Sequence, residues 1–129
     1  MNKMREKALL LLNALGVENA ENDPLFLFIA QSVTEWILNE IHHPALPETL
    51  VAYAAQRVVG RYLQLLKNNG KLTDFDFDAA VKQITEGDTT VIYAIGEGSQ
   101  TPEQRFDAMV EALCKEDKSQ LYAHRRVAW

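Results

Sequence analysis

The sequence predicts a mainly α protein: a small bundle of about four helices, with a short β-strand or extended arm between the third and last helices. Three observations predict it. Apolar residues recur at helical spacing through the first half of the chain and again near its end. Glycine, asparagine and proline stop signals separate those stretches. One short run, 88–95, gathers β-branched and aromatic residues instead. The 129 residues, 47% hydrophobic and 24% charged, suit a single domain, 1–129, large enough to bury a core.

The first helix is expected over 3–15, where Leu9, Leu11, Leu12 and Leu15 supply most of its apolar surface. Gly16 is its natural stop, because glycine takes the left-handed conformation at little cost. Asp23 and Pro24 open the second helix as N-cap and first helical residue. A 100° step per residue places Leu25, Phe26, Ile29, Ala30, Val33, Trp36, Ile37 and Ile41 on one face. Leu27, Phe28 and Leu38 fall outside that arc and are either scattered surface or a second contact face.

His42, His43 and Pro44 break the second helix, and Leu46-Pro47-Glu48 starts the third, which should reach about Lys67. Its apolar arc is wide, from Leu50 and Val51 through Ala54, Val58, Tyr62 and Leu66, as befits the helix most surrounded by others. Gln56, Gly60, Gln64 and Lys67 line its narrow polar side, bordered by Arg57 and Arg61. Asn68-Asn69-Gly70 ends it.

Residues 71–100 carry six acids against two lysines and form an acidic loop and strand arm. Within them, 79–85 suits a helical turn or two, and Asp88 to Ile95 reads as a strand bounded by Gly87 and Gly96. An isolated strand cannot satisfy its own backbone groups. Its partner is either 72–77, in a hairpin with a long loop, or another subunit. Thr101 and Gln104 have capping-box spacing. The final helix should bury Phe106, Met109, Val110 and Leu113, with Cys114 at the edge, and continue through Leu121 towards Tyr122.

The net charge of −5 argues against a general nucleic-acid binder, which needs clustered positive charge. It suits a surface past which DNA slides without sticking. No apolar stretch approaches the ~20 residues that span a bilayer, and the run Ala8 to Leu12 reads as helix rather than signal peptide. With Cys114 alone, no internal disulfide is possible, and a reducing cytoplasm is the expected setting.

Catalytic and metal-binding patterns find little footing. Asp74, Asp76 and Asp78 begin like a calcium loop, but Ala79 stands where glycine is needed and Thr85 where a bidentate glutamate is needed. Adjacent His42 and His43 diverge by ~100° on a helix and cannot share a tetrahedral ion. Ser32, Ser99, Ser119 and Cys114 lack nucleophile context. Gly96-Glu97-Gly98 lacks the rest of a phosphate loop, and Glu35 and Glu40 do not face each other. No enzyme, cofactor or metal is expected. His124, Arg125 and Arg126, between Tyr122 and Trp129, form a tail (122–129) of the residue types that dominate interfaces.

In order and spacing the chain resembles the head–tail connector (adaptor or head-completion) proteins of long-tailed double-stranded-DNA bacteriophages and prophages. The resemblance rests on the opening helix closed by Leu15-Gly16, the Asp-initiated helix with Ala30, Ile37 and Leu38, and the central helix with Ala54, Val58 and Tyr62. Its most specific part is Glu86-Gly87-Asp88-Thr89-Thr90-Val91 combined with Tyr122, Arg125, Arg126 and Trp129. The family's ending tends to place the tyrosine immediately before the arginines; here Ala123 and His124 intervene.

The resemblance implies a helical protein forming a homo-oligomeric ring of about a dozen subunits beneath the portal protein. Such a ring extends the DNA channel and offers a platform to a tail or head-completion protein, without catalysis. It is built in the bacterial cytoplasm and ends in the virion. On this reading Thr89, Val91 and Tyr93, with Phe28 and Leu38, form subunit contacts. Arg125, Arg126 and Trp129 dock on the portal or tail, and Asp74, Asp76, Asp78 and Glu97 line the channel for passing double-stranded DNA. The competing expectation is a host adaptor or regulatory subunit that binds a protein through Phe28 and Leu38.

Overall fold

The computed structural model describes residues 2–72, 75–87, 101–116 and 118–123. Among them the protein is mainly helical, with no strand: α1 (Asn2–Ala14), α2 (Pro24–Ile41), α3 (Val51–Asn68), α4 (Phe77–Gly87), α5 (Pro102–Cys114) and α6 (Lys118–Tyr122), plus 3₁₀ turns at Ala20–Asn22 and Glu48–Leu50. The expected strand at 88–95 lies outside the described residues.

Helix α3 stands at the centre, packed against α1, α2 and α5, while α4 lies on α5 and α6 on α2. The wide apolar arc of α3 explains its place. Tyr53, Ala54, Ala55, Val58, Val59, Tyr62 and Leu63 are all buried, on more than one face, so three neighbours are needed to cover them. From α1, Met4, Ala8 and Leu12 reach the core at helical spacing, joined by Leu15 just past its end.

The first three helices end by one device. Val17, His43 and Lys71 each donate an amide hydrogen bond to a carbonyl five residues back: Leu12 at 2.8 Å, Leu38 at 3.4 Å and Leu66 at 2.9 Å. The residue before each donor is left-handed: Gly16 at φ 94°, His42 at 57° and Gly70 at 69°. His42 thus fills a position that glycine usually holds.

Two expectations are corrected, and with them the expected count of about four helices rises to six among the described residues. The helical turn or two at 79–85 is a full helix, α4. Ala80, Val81 and Ile84 are buried at its helical spacing, and the Asp76 carboxylate accepts the Ala79 amide at 3.0 Å. The final helix does not run through to Tyr122. Lys115 turns extended (φ −62°, ψ 133°), and Arg57 Nε donates to its carbonyl oxygen at 2.7 Å. That bond holds the chain out of helical geometry, and α6 restarts beyond it. The capping box at Thr101 and Gln104 forms as expected, with both reciprocal bonds present.

Phe75 and Phe77 anchor the acidic stretch. Their rings meet Phe106 of α5 at centroid distances of 5.5 Å and 4.8 Å. Lys67, at the end of α3, ties the start of α5 to the centre through ion pairs with Glu103 (3.1 Å) and Asp107. The expected polar side of α3 is therefore also a packing side. Gly60 is buried there, facing Leu113 and Cys114 of α5.

Candidate interaction surface

The start of α2 is held tightly. The Asp23 carboxylate caps it by accepting the Leu25 amide at 3.0 Å. The Tyr62 hydroxyl, from the middle of α3, donates to the other oxygen of Asp23 at 2.7 Å. Phe26 meets the Tyr62 ring edge-on at 5.5 Å. The hydrogen bond from Tyr62, with that from Leu25, holds the Asp23 carboxyl below its ordinary value. Burial, reinforced by Asp23, pushes the Tyr62 hydroxyl above its own.

These shifts fix the pH dependence of the pair. A carboxyl depressed in the fold contributes stability above its unfolded value, about 3.9, and loses it as pH falls through the folded one. A phenol raised in the fold contributes below about pH 10 and loses it as pH rises. Tyr62→Phe, which removes a hydrogen bond to a charged acceptor, is expected to destabilise the protein by about 1.5 kcal/mol at neutral pH. Urea unfolding at several pH values should show this gap shrinking below about pH 4 as Asp23 protonates in the wild type.

The outer side of α2 is apolar where it begins. Phe28 is 67% exposed, Leu25 46% and Leu27 42%. The exposure of Phe28 fits both expectations for it, scattered surface and second contact face. Leu38 is half-buried and packs against the core, and by helical position it lies about 80° round from Phe28 and some 15 Å along the axis. The expected pairing of Phe28 with Leu38 as one face is therefore not formed. Leu25, expected in the core stripe, instead lies out on its flank. Burial centres on Phe26, Ala30, Val33, Ile37 and Ile41, and Leu25 sits ~100° round from Phe26. Leu25, Phe28, Ser32 and Trp36, spaced three and four apart, form one strip.

That strip runs into a cationic cleft. Ser32 and Trp36 of α2, with Arg57 and Arg61 of α3, line a hollow of about 100 Å³. Arg57 is buried, stacked 4.1 Å from the Tyr53 ring centroid, and bonded to the carbonyls of Lys115 and Tyr53 and the side chain of Gln56. Arg61, one turn on, is exposed and has no ion pair or hydrogen bond among the described residues. Glu116, which also lines the hollow, is exposed and pairs with neither arginine. Sequence reasoning set both arginines at the border of a polar side; their spacing was the signal that they share a site.

Of the expected channel residues, Asp76 and Asp78 are exposed at the start of α4. Asp74, Glu97, Thr89, Val91, Tyr93, Arg125, Arg126 and Trp129 lie outside the described residues. Among the described residues no three His, Cys, Asp or Glu side chains gather as metal ligands, and no helix is long and apolar enough to cross a membrane. No protein-family model, no curated protein and no solved structure matches the chain.

Proposed function

We propose that this protein is a structural component of a phage or prophage head–tail junction, a connector that closes into a homo-oligomeric ring on the portal. The observation that carries the reading is the exposed strip of Leu25 and Phe28 on a helix start that Asp23 caps and Tyr62 anchors. A preformed apolar face on one side of an asymmetric subunit suits a heterologous contact, and such contacts generate rings when they close. The order of sequence features that resembles the connector family adds to it.

In this role Thr89, Val91 and Tyr93 join Phe28 at the subunit boundary, while Arg125, Arg126 and Trp129 meet the portal or the next head-completion or tail protein. Asp74, Asp76, Asp78 and Glu97 face the passing DNA, where negative charge keeps the duplex mobile. Val91→Pro removes a backbone donor and fixes φ in the arm. It is expected to abolish ring assembly by light scattering while circular dichroism shows unchanged helix content. Rings formed by the variant as by the wild type would remove the arm from the contact. The alternative role, a host adaptor, shares the exposed Phe28 face but requires a foreign partner and no ring.

A further inference from the structure

The Arg57–Arg61 cleft and the Leu25–Phe28 strip meet at Ser32 and Trp36, and the fold accounts for Arg57 but for neither Arg61 nor the exposed strip. Arg57 serves the chain itself, by fixing Lys115. Arg61 makes no ion pair or hydrogen bond among the described residues, and it stands one turn from a like charge, an arrangement that is mildly unfavourable on a helix. A protein of net charge −5 has carboxylates to spare, yet none of the described ones pairs with Arg61. The surface wants a segment that is acidic at one end and apolar at the other.

The chain contains one. Glu86 and Asp88 lead directly into Val91, Ile92 and Tyr93, and no lysine or arginine occurs between Lys82 and Arg105. We propose that the Arg57–Arg61 cleft and the Leu25–Phe28 strip receive the 86–93 segment of a second copy, from the end of its α4 at Glu86 and Gly87 onward, with Asp88 or Glu86 at Arg61 and the β-branched run along α2. This rests on the ring reading above and specifies its contact.

The dimensions agree. Along α2, Phe28 lies about 6 Å and Leu25 about 10 Å from Ser32 at the cleft. Were the segment extended, Thr90 would lie about 7 Å and Ile92 about 13 Å from Asp88 on one side, leaving Thr89, Val91 and Tyr93 on the other to meet the rest of the boundary around Phe28. An acid seated at Arg61 beside Ser32 thus brings Ile92 within side-chain reach of Leu25 and Phe28. Charge sets the register, and apolar burial supplies the affinity.

The test is self-association of the full chain by sedimentation velocity at low and high salt. Arg61→Glu is expected to weaken association at least about ten-fold. It should leave the melting temperature of the monomer unchanged or higher, because Arg57 gains an opposite charge one turn away. Adding Glu86→Lys and Asp88→Lys to Arg61→Glu should restore association, and Phe28→Ser should weaken it without salt dependence of the loss. If the wild type forms rings and Arg61→Glu forms them equally well, the pairing is overturned and the connector reading stands. If Arg61→Glu weakens association but the reversed acids fail to restore it, the 86–93 segment is not the occupant. A wild type that never self-associates overturns the pairing as a contact between copies and leaves the connector role to the portal-binding test.

Discussion

Phe106→Ala is expected to destabilise the protein by about 3–5 kcal/mol, the range for emptying a fully buried phenylalanine site. Phe106 is completely buried, and its ring is the shared partner of Phe75 and Phe77. Those two rings also meet each other edge-on at 5.6 Å, so the three form one aromatic unit. Collapse into the vacated space would require Phe75 and Phe77 to move, and both are tied to the chain that enters α4. The variant should therefore lose the α4 amides' protection from hydrogen exchange before those of α3. Urea unfolding followed by circular dichroism would measure the loss. A shift below about 1 kcal/mol would mean that α4 and its aromatic anchor contribute little to the fold.

Gly60→Val should cost about 3 kcal/mol, and even Gly60→Ala should destabilise. Helix propensity alone gives the opposite sign for alanine, a gain of about 1 kcal/mol in a helix interior. Packing decides against it. A Cβ at position 60 would stand 2.8 Å from Leu113 Cβ, 2.9 Å from Cys114 Sγ and 3.1 Å from the Cys114 amide nitrogen. Two of the three lie close to the α5 backbone, so relief requires α5 to shift, and overpacking of this kind costs about 1–3 kcal/mol. A second methyl group raises the strain further. Thermal melts of the two variants beside the wild type give the answer, and a stabilised Gly60→Ala would show that α5 packs less closely than described.

The same glycine shows where the sequence was opaque. An interior helical glycine beside Gln56 and Gln64 looks polar by composition, yet its lack of a side chain is what admits α5. Propensity and polarity describe a residue alone; a close approach is a property of two helices. Arg57 was hidden for the same reason. Its guanidinium is buried because a tyrosine ring and a carbonyl 58 residues away receive it, which no local window contains. The end of α5 depended on that same bond.

Local signals did better. Asp23 with Pro24, Gly16, Asn69 with Gly70, and the Thr101–Gln104 box each act within a few residues, and each marks a helix end in the structure. The central place of α3 was legible because the width of an apolar arc counts neighbours without naming them. The exposed strip on α2 was half legible. Helical phase put Phe28 outside, but it also put Leu25 inside, since phase gives direction and not how far a neighbouring helix extends.

The central claim is that copies of this chain close into a ring on a portal. The direct measurement is negative-stain imaging of the purified protein mixed with the portal protein encoded in the same genome, with particle masses taken on the same sample. The account predicts closed rings of about a dozen copies seated coaxially on the portal. A chain that remains monomeric and unbound beside an intact portal ring, across the whole concentration range, would contradict it.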